Sequence, residues 1–401
     1  MNAPFLPYGR QCIEEDDIAA VAEVLRGDWL TTGPAVGAFE ADFARTVGAR
    51  HALACNSGTA ALHMAAHALG LGPGDSVIVP AITFLATANA AVFVGADVVF
   101  ADVDAETGTL TPETVHEAAA RAPSPVKAVF PVHLKGPVVD LPGIAEVAES
   151  LGAAVVEDAC HALGTTYTSN GASASVGACA HSRIAAFSLH PVKTIAMGEG
   201  GVVTTNDPTL AEAMRRFRSH GMVHDSASWL LPNQGMEGGS PAPWYYEMLE
   251  PGFNYRAPDI ACALARSQLA KLDRFVARRG ALAERYDALL ARLAPHVLPP
   301  VRPAGCTPAW HLYAVRIDFT SLGRARADVT RTLRAAGIGT QVHYVPVPWQ
   351  PYWRQRQAVP DLPGTAQYYA RTLSLPLFPG MEDGDVDRVV ASLASALRIA
   401  G

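Results

Sequence analysis

Charge is scarce in this chain: Asp, Glu, Lys and Arg make up 17% of 401 residues, against 49% hydrophobic. That balance excludes a disordered chain and requires a buried core. Basic residues are outnumbered 38 to 31, which leaves a formal net charge of −7. An acidic surplus argues against a nucleic-acid or anionic-membrane partner, while leaving local anion sites open. Cysteine is sparse and scattered, and Cys12, Cys55, Cys160, Cys179, Cys262 and Cys306 form no CxxC pair. They read as reduced thiols of a cytoplasmic protein, and no metal is expected. The opening residues, MNAPFLPYGRQCIEEDD, lack a basic stretch followed by an apolar one, so no signal peptide is expected. Long apolar runs are missing too. Residues 76–96 carry no charge, yet Pro80, Thr83, Thr87 and Asn89 interrupt them. A membrane span is more uniformly apolar, so this segment reads as a strand followed by a helix. Repeats and low-complexity tracts are absent.

What is present is alternation. HALAC (51–55), SVIVP (76–80), DVVFAD (97–102), VKAVFPV (126–132) and AAVVED (153–158) read as strands. Helical stretches such as 59–70 and 140–152 lie between them, a pattern that predicts a mostly parallel sheet covered on both faces. AAFSL (185–189) and GGVVTTND (200–207) extend the sheet, this later pair being compatible with an antiparallel arrangement. One long helical pattern runs over about 257–291. Strand 311–318, helix 326–337, strand 338–344 and a last helix over 383–399 form a smaller α+β unit. The predicted domains are 1–265, large and α/β, and 266–401, small and α+β. Residues 232–252, rich in Pro and Gly, read as a long surface loop of the kind usually tied to function.

Three clusters carry chemistry. Asn56-Ser57-Gly58-Thr59 stands between an apolar strand and an Ala-rich helix, where free N–H groups and hydroxyls favour a phosphate. A plain helix cap explains the same residues. Glu157-Asp158, followed by His161, ends a predicted parallel strand, and ligands sit beyond such ends. An acid there can bond a ring nitrogen, or simply cap a turn. Lys193 is the sole permanent charge between Ile184 and Gly198, with Ser188 and His190 nearby. Apolar surroundings disfavour the ammonium form and make the amine nucleophilic.

A phosphate loop, an acid and then a lysine 35 positions later follow the order of fold-type I enzymes of pyridoxal 5′-phosphate (PLP). Beyond that order, the chain resembles the DegT/DnrJ/EryC1/StrS sugar aminotransferases over nearly its whole length. WLTTGP (29–34), NSGTAALH (56–63), ITFLATANA (82–90), EDACHALG (157–164), FSLHPVK with GEGG (187–201) and GFNYRAPDI (252–260) carry the resemblance. Within that family, FRSHGM (217–222), PWYYEMLEPGFNYR (243–256) and QVHYVPV (341–347) look most like UDP-4-amino-4,6-dideoxy-N-acetyl-β-L-altrosamine transaminases of pseudaminic acid biosynthesis.

The resemblance implies a fold-type I transferase with PLP held covalently by Lys193 and its ring nitrogen paired with Asp158. It implies that Ser57, Gly58, Thr59, Ala60 and Ser188 hold the phosphate, that Phe84 stacks on the ring and that His161 meets the ring edge. Phe84 also has a simpler reading, as core packing of its helix. Asn254 is implied to reach the site of a second subunit, which makes the enzyme a homodimer with shared active sites. Thr31, His343 and Tyr344 are implied to lie near a nucleotide-sugar substrate, with an amino acid, by analogy L-glutamate, as donor. Departures from the family pattern are Ala196 and Met197 where Thr-Thr is usual, Cys160 for Ala, and Pro258 for Thr or Ser. Rival readings are an aminotransferase for another nucleotide-linked 3- or 4-keto sugar, a sugar 3-dehydratase and a non-catalytic regulator. Dehydratases of this kind carry His at the lysine position, so Lys193 speaks against that rival. A regulator would tolerate loss of Lys193 or Asp158, and both are present.

Overall fold

A computed structural model describes residues 4–169 and 171–399. Two helices, α1 (Glu15–Arg26) and α2 (Pro34–Val47), lead into the main sheet. Its elements run β1 (His51–Cys55), α3 (Gly58–Ala68), β2 (Ser76–Pro80), α4 (Leu85–Phe93), β3 (Asp97–Ala101), α5 (Pro112–Ala119), β4 (Val126–Val129), α6 (Leu141–Ser150) and β5 (Ala154–Asp158). A small hairpin, β6 (Thr166–Ser169) and β7 (Ala172–Ser175), precedes β8 (Ile184–Ser188) and β9 (Gly201–Thr205), and α7 (Pro208–Phe217) follows.

The seven-stranded sheet has the order β1-β9-β8-β5-β4-β2-β3. Strand β9 runs antiparallel to both β1 and β8, and the other six strands share one direction. The antiparallel reading of the 185–207 pair is therefore the one the fold adopts. Side chains alternate between faces along each strand. Ala54, Ile78, Val155 and Ala185 join a core with α2, α5 and α6, while Leu53, Val77, Val156 and Ala186 join another with α3, α4 and α7. Burial on both faces is why these strands read as continuous apolar runs.

The expected helix over 257–291 is two helices, α8 (Asp259–Leu269) and α9 (Leu272–Leu290). They part at Ala270–Lys271, where the Lys271 amine is held by Asp17 at 2.9 Å and Asp16 at 2.5 Å. Helix α8 packs on α1 and α2, and the second half of α9 turns into a separate core. The division expected at 265 thus falls inside α8. That further core gathers the antiparallel strands Val297–Leu298, Tyr313–Ile317 and Thr372–Leu375 with α10 (Arg326–Ala335) and, after α11 (Pro351–Arg354) and α12 (Pro363–Arg371), α13 (Asp383–Leu397). Leu6 also packs into it, although it opens the chain.

The strand expected over 338–344 does not form. That segment makes single bridges, Ile338 with Leu6 and Gln341 with Ser374, and then turns toward the main sheet. Instead Thr372–Leu375 supplies the edge strand. The predicted loop at 232–252 holds one two-residue strand pair, Met236–Glu237 with Ser240–Pro241, and a carboxylate anchor, Glu247, which accepts from the N–H of Leu231 at 2.8 Å. Among the described residues, no helix is long and apolar enough to cross a membrane.

Candidate active site

Strands β1, β5 and β8 end along one edge of the sheet, and that edge opens on a cavity of about 660 Å³. Ser57, Gly58, Thr59, Phe84, Asp158, His161, Ser188, Lys193, His343 and Tyr344, all proposed from sequence, line it.

The phosphate corner is built at the start of α3. Ser57 is its N-cap, with Oγ accepting from the Ala60 N–H at 3.1 Å. That N–H is therefore already taken, and Ala60, a cofactor-binding candidate, lies buried behind the cavity wall. The N–H groups of Gly58 and Thr59 find no acceptor among the described residues, as expected of a first helical turn. They leave two donors, at the positive end of the helix, for an anion. Space forces glycine twice here. A Cβ on Gly58 would stand 2.8 Å from Ser188 Cβ, and one on Gly201 would stand 2.4 Å from the Ser57 carbonyl oxygen.

Pleating decides between the two acids that end β5. Glu157 is buried on the far face, bonded to His133 Nε2 at 2.9 Å and Ser182 Oγ at 2.5 Å. Asp158 faces the cavity. Its Oδ1 accepts from the Cys160 N–H at 3.2 Å and its Oδ2 from Thr87 Oγ1 at 2.7 Å.

Lys193 sits in the turn after β8, its N–H donating to the His190 carbonyl at 2.8 Å. Its side chain is half-buried and lines the cavity. Burial pushes the ammonium below the usual lysine value, with Cys160 and Asp158 pulling the other way. A larger fraction of free amine is the result, which is what a nucleophile and base require.

His161 Nδ1 accepts from the Lys135 N–H at 3.3 Å, and its Nε2 meets Tyr344 Oη at 3.2 Å. Burial holds the imidazole well below its ordinary pKa, so the ring is neutral. An accepting Nδ1 then puts the proton on Nε2, which donates to Tyr344. His343 is buried, with Nδ1 2.8 Å from Ser374 Oγ, and burial lowers its pKa to about 3. Phe84 is 56% exposed at the N-cap of α4 and tilts toward Tyr344 at 5.9 Å between ring centroids. Core packing is thus not its role; the ring is open to the cavity.

Two proposed residues lie elsewhere. Asn254 is exposed, and its carbonyl accepts from Asn56 Nδ2 at 3.3 Å. Thr31 is exposed and bridges to Pro258. Neither lines the cavity of its own chain. The same is true of Trp244, Tyr245 and Tyr246, aromatic residues of the 232–252 loop. Sequence reasoning missed Tyr8, Gln341 and Glu199 in the cavity wall, and Thr87 behind Asp158. For Thr87 a signal existed: Thr83 and Thr87 are hydroxyls one helical turn apart in an uncharged stretch. Among the described residues, no group of three or more His, Cys, Asp or Glu is placed to hold a metal.

The donor set fits PLP. An amine suits its aldehyde carbon, a carboxylate suits a protonated ring nitrogen, and unpaired N–H groups suit its phosphate, all on one cavity. With the doubly covered sheet, these groups define a PLP-dependent aminotransferase of fold type I. Residues 11–394 match the DegT/DnrJ/EryC1/StrS aminotransferase family, and the chain belongs to it. A curated relative, the spore coat polysaccharide biosynthesis protein SpsC of Bacillus subtilis, is 40% identical over 98% of this chain and 97% of its own. Helicobacter pylori PseC, an aminotransferase involved in the biosynthesis of pseudoaminic acid, superposes with a TM-score of 0.87. It is 26% identical, over 98% of this chain and 99% of PseC. Spr1654 of Streptococcus pneumoniae, solved in its PLP form, gives a TM-score of 0.86 at 26% identity over 99% of both chains. The protein is a sugar aminotransferase with PLP as its cofactor.

Proposed function

We propose that this enzyme aminates carbon 4 of a UDP-linked 4-keto-6-deoxy-N-acetyl hexose, giving UDP-4-amino-4,6-dideoxy-N-acetyl-β-L-altrosamine, with L-glutamate as donor. The observation that carries the chemistry is the convergence of Lys193, Asp158 and the Ser57–Thr59 corner on one cavity. When bound, PLP supplies the electron sink for the carbon that loses a proton. Lys193 would anchor it through Nζ, and the same amine would take the proton from the amino-bearing carbon of the donor. In the return half Nζ delivers a proton to carbon 4 of the sugar. Asp158 would pair with the ring nitrogen, and Gly58, Thr59, Ser57 and Ser188 would hold the phosphate. Phe84 and His161 would contact the ring. Tyr344 and His343 border the sugar, and Thr31 the nucleotide. Asn254 serves the site of a second copy, so the working form is a cytoplasmic homodimer.

Support for the sugar comes from PWYYEMLEPGFNYR and QVHYVPV and from the likeness to PseC. The likeness to SpsC favours a second reading, amination of a different nucleotide-linked keto sugar for a surface polysaccharide. Incubation with L-glutamate and UDP-2-acetamido-2,6-dideoxy-β-L-arabino-hexos-4-ulose, or with its xylo epimer, separates the two. The first sugar should turn over and the epimer react poorly, because inverted ring carbons displace the ketone from fixed catalytic groups. Faster turnover of the xylo epimer, or of a dTDP- or GDP-linked sugar, identified by NMR of the product, would select the second reading.

A further inference from the structure

Thr83 and Thr87 stand one helical turn apart where α4 begins, and both are essentially fully buried. A threonine within a helix ordinarily returns its hydroxyl to the carbonyl four residues back. Thr87 does not. Its Oγ1 donates to Asp158 Oδ2 at 2.7 Å, across 71 positions of sequence. A hydroxyl has one proton, so the 2.7 Å contact between Thr83 Oγ1 and Thr87 Oγ1 must have Thr83 as donor. The direction is therefore fixed: Thr83 to Thr87 to the carboxylate. The Cys160 N–H completes the arrangement at Oδ1, 3.2 Å away.

Asp158 is 4% exposed, so its hydrogen-bond partners come from the protein. Donors reach both of its oxygens, and a chain of hydroxyls polarises its last member. The same bonds leave the carboxyl plane no freedom to turn. We propose that Thr87, backed by Thr83, is a positioning residue that holds the Asp158 carboxylate aimed at the ring nitrogen of PLP. The inference rests on the reading that Asp158 pairs with that nitrogen.

Apo-protein titrated with PLP, followed by quenching of protein fluorescence, tests it. Thr87→Val should bind PLP about tenfold more weakly, the scale of one hydrogen bond to a charged group. Thr87→Ser should restore binding to within about threefold, and Thr83→Val should show a smaller loss than Thr87→Val. The decisive probe is 1-deaza-PLP, which has the phosphate and aldehyde but no ring nitrogen. If Thr87 acts through Asp158 on that nitrogen, Thr87→Val and wild type bind the deaza analogue alike. Equal weakening toward PLP and its deaza analogue would make Thr87 merely structural and overturn the proposal. So would wild-type PLP affinity in Thr87→Val while Asp158→Asn binds weakly. Should Asp158→Asn itself bind PLP like wild type, the assignment of Asp158 fails, and the Thr87 proposal with it. If Thr87→Val does not fold, the Thr83→Val and Thr87→Ser titrations against both probes decide.

Discussion

The guanidinium of Arg279 reaches the main-chain carbonyl of Lys193, with Nη2 3.5 Å from the oxygen. Its Nη1 meets the carbonyls of Leu377 at 2.9 Å, Trp310 at 3.2 Å and His311 at 3.3 Å. Arg279 is fully buried, no carboxylate among the described residues pairs with it, and burial lowers its pKa to about 10. One side chain of α9 thus ties the lysine turn to one end of the small sheet, where Tyr313–Ile317 begins and Thr372–Leu375 finishes. Arg279→Met should destabilise the protein by roughly 3–5 kcal/mol, because it strands carbonyls inside the core. Chemical denaturation checks this, and a loss below about 1 kcal/mol would contradict it.

Lys193→Ala should abolish covalent retention of PLP after borohydride reduction, read by mass spectrometry of the intact chain. A cofactor mass still attached in the variant would assign the link to another lysine. Asp158→Asn should fold and lose most activity, since an amide cannot supply the anion that keeps the ring nitrogen protonated. Wild-type turnover in that variant would refute the role.

Gly201→Ala places a methyl group 2.4 Å from the Ser57 carbonyl oxygen, a backbone atom that cannot swing aside. The end of β9 and the phosphate corner must separate. Expected outcomes are a stability loss of roughly 1–3 kcal/mol and weaker binding of PLP to the apo-protein. Gly280→Ala, inside α9 where the added Cβ meets nothing within 4 Å, is the control and should bind PLP like wild type and be no less stable.

Acid should unfold the protein by way of its buried histidines. Burial, and then the neighbouring His67, lowers His63 from 6.5 to about 4, and burial lowers His343 to about 3. Between these values and 6.5 the unfolded chain binds protons that the folded chain does not. Stability is therefore complete above about pH 6.5 and falls as pH drops toward 4, by at most about 3 kcal/mol for His63 alone. Thermal unfolding across pH 4–7 measures the slope, which should be shallower in His63→Gln.

Asn254 faces outward in a single chain, yet the family resemblance assigns it to a cofactor site. Mixing Asn254→Ala with Lys193→Ala subunits should recover activity that neither has alone. In a mixed dimer one site takes its lysine from the first chain and its asparagine from the second, both intact. No recovery after demonstrated subunit exchange would exclude action across an interface.

By itself the sequence determined the main sheet and the ends of its strands. Strands β1 to β5 announce themselves through short apolar runs buried on both faces, a local signal. Ser57, Asp158 and Lys193 were legible for the same reason, since each follows or ends such a run and a parallel sheet brings those ends to one edge. Periodicity could not choose Asp158 over Glu157; the pleat of β5 did. Nor could it show that residues 338–344 leave the small sheet, because their apolar alternation suits a strand and a cavity wall alike. Tyr8 and Arg279 were invisible to pattern, each meeting partners far away in sequence, and the Thr83–Thr87 spacing did not show that Asp158 is their partner. Spatial order β1-β9-β8-β5-β4-β2-β3 differs from chain order, and it sets which buried hydroxyl finds which carboxylate. Local propensity writes the elements, but a hydrogen bond between two of them exists only once packing has fixed their distance.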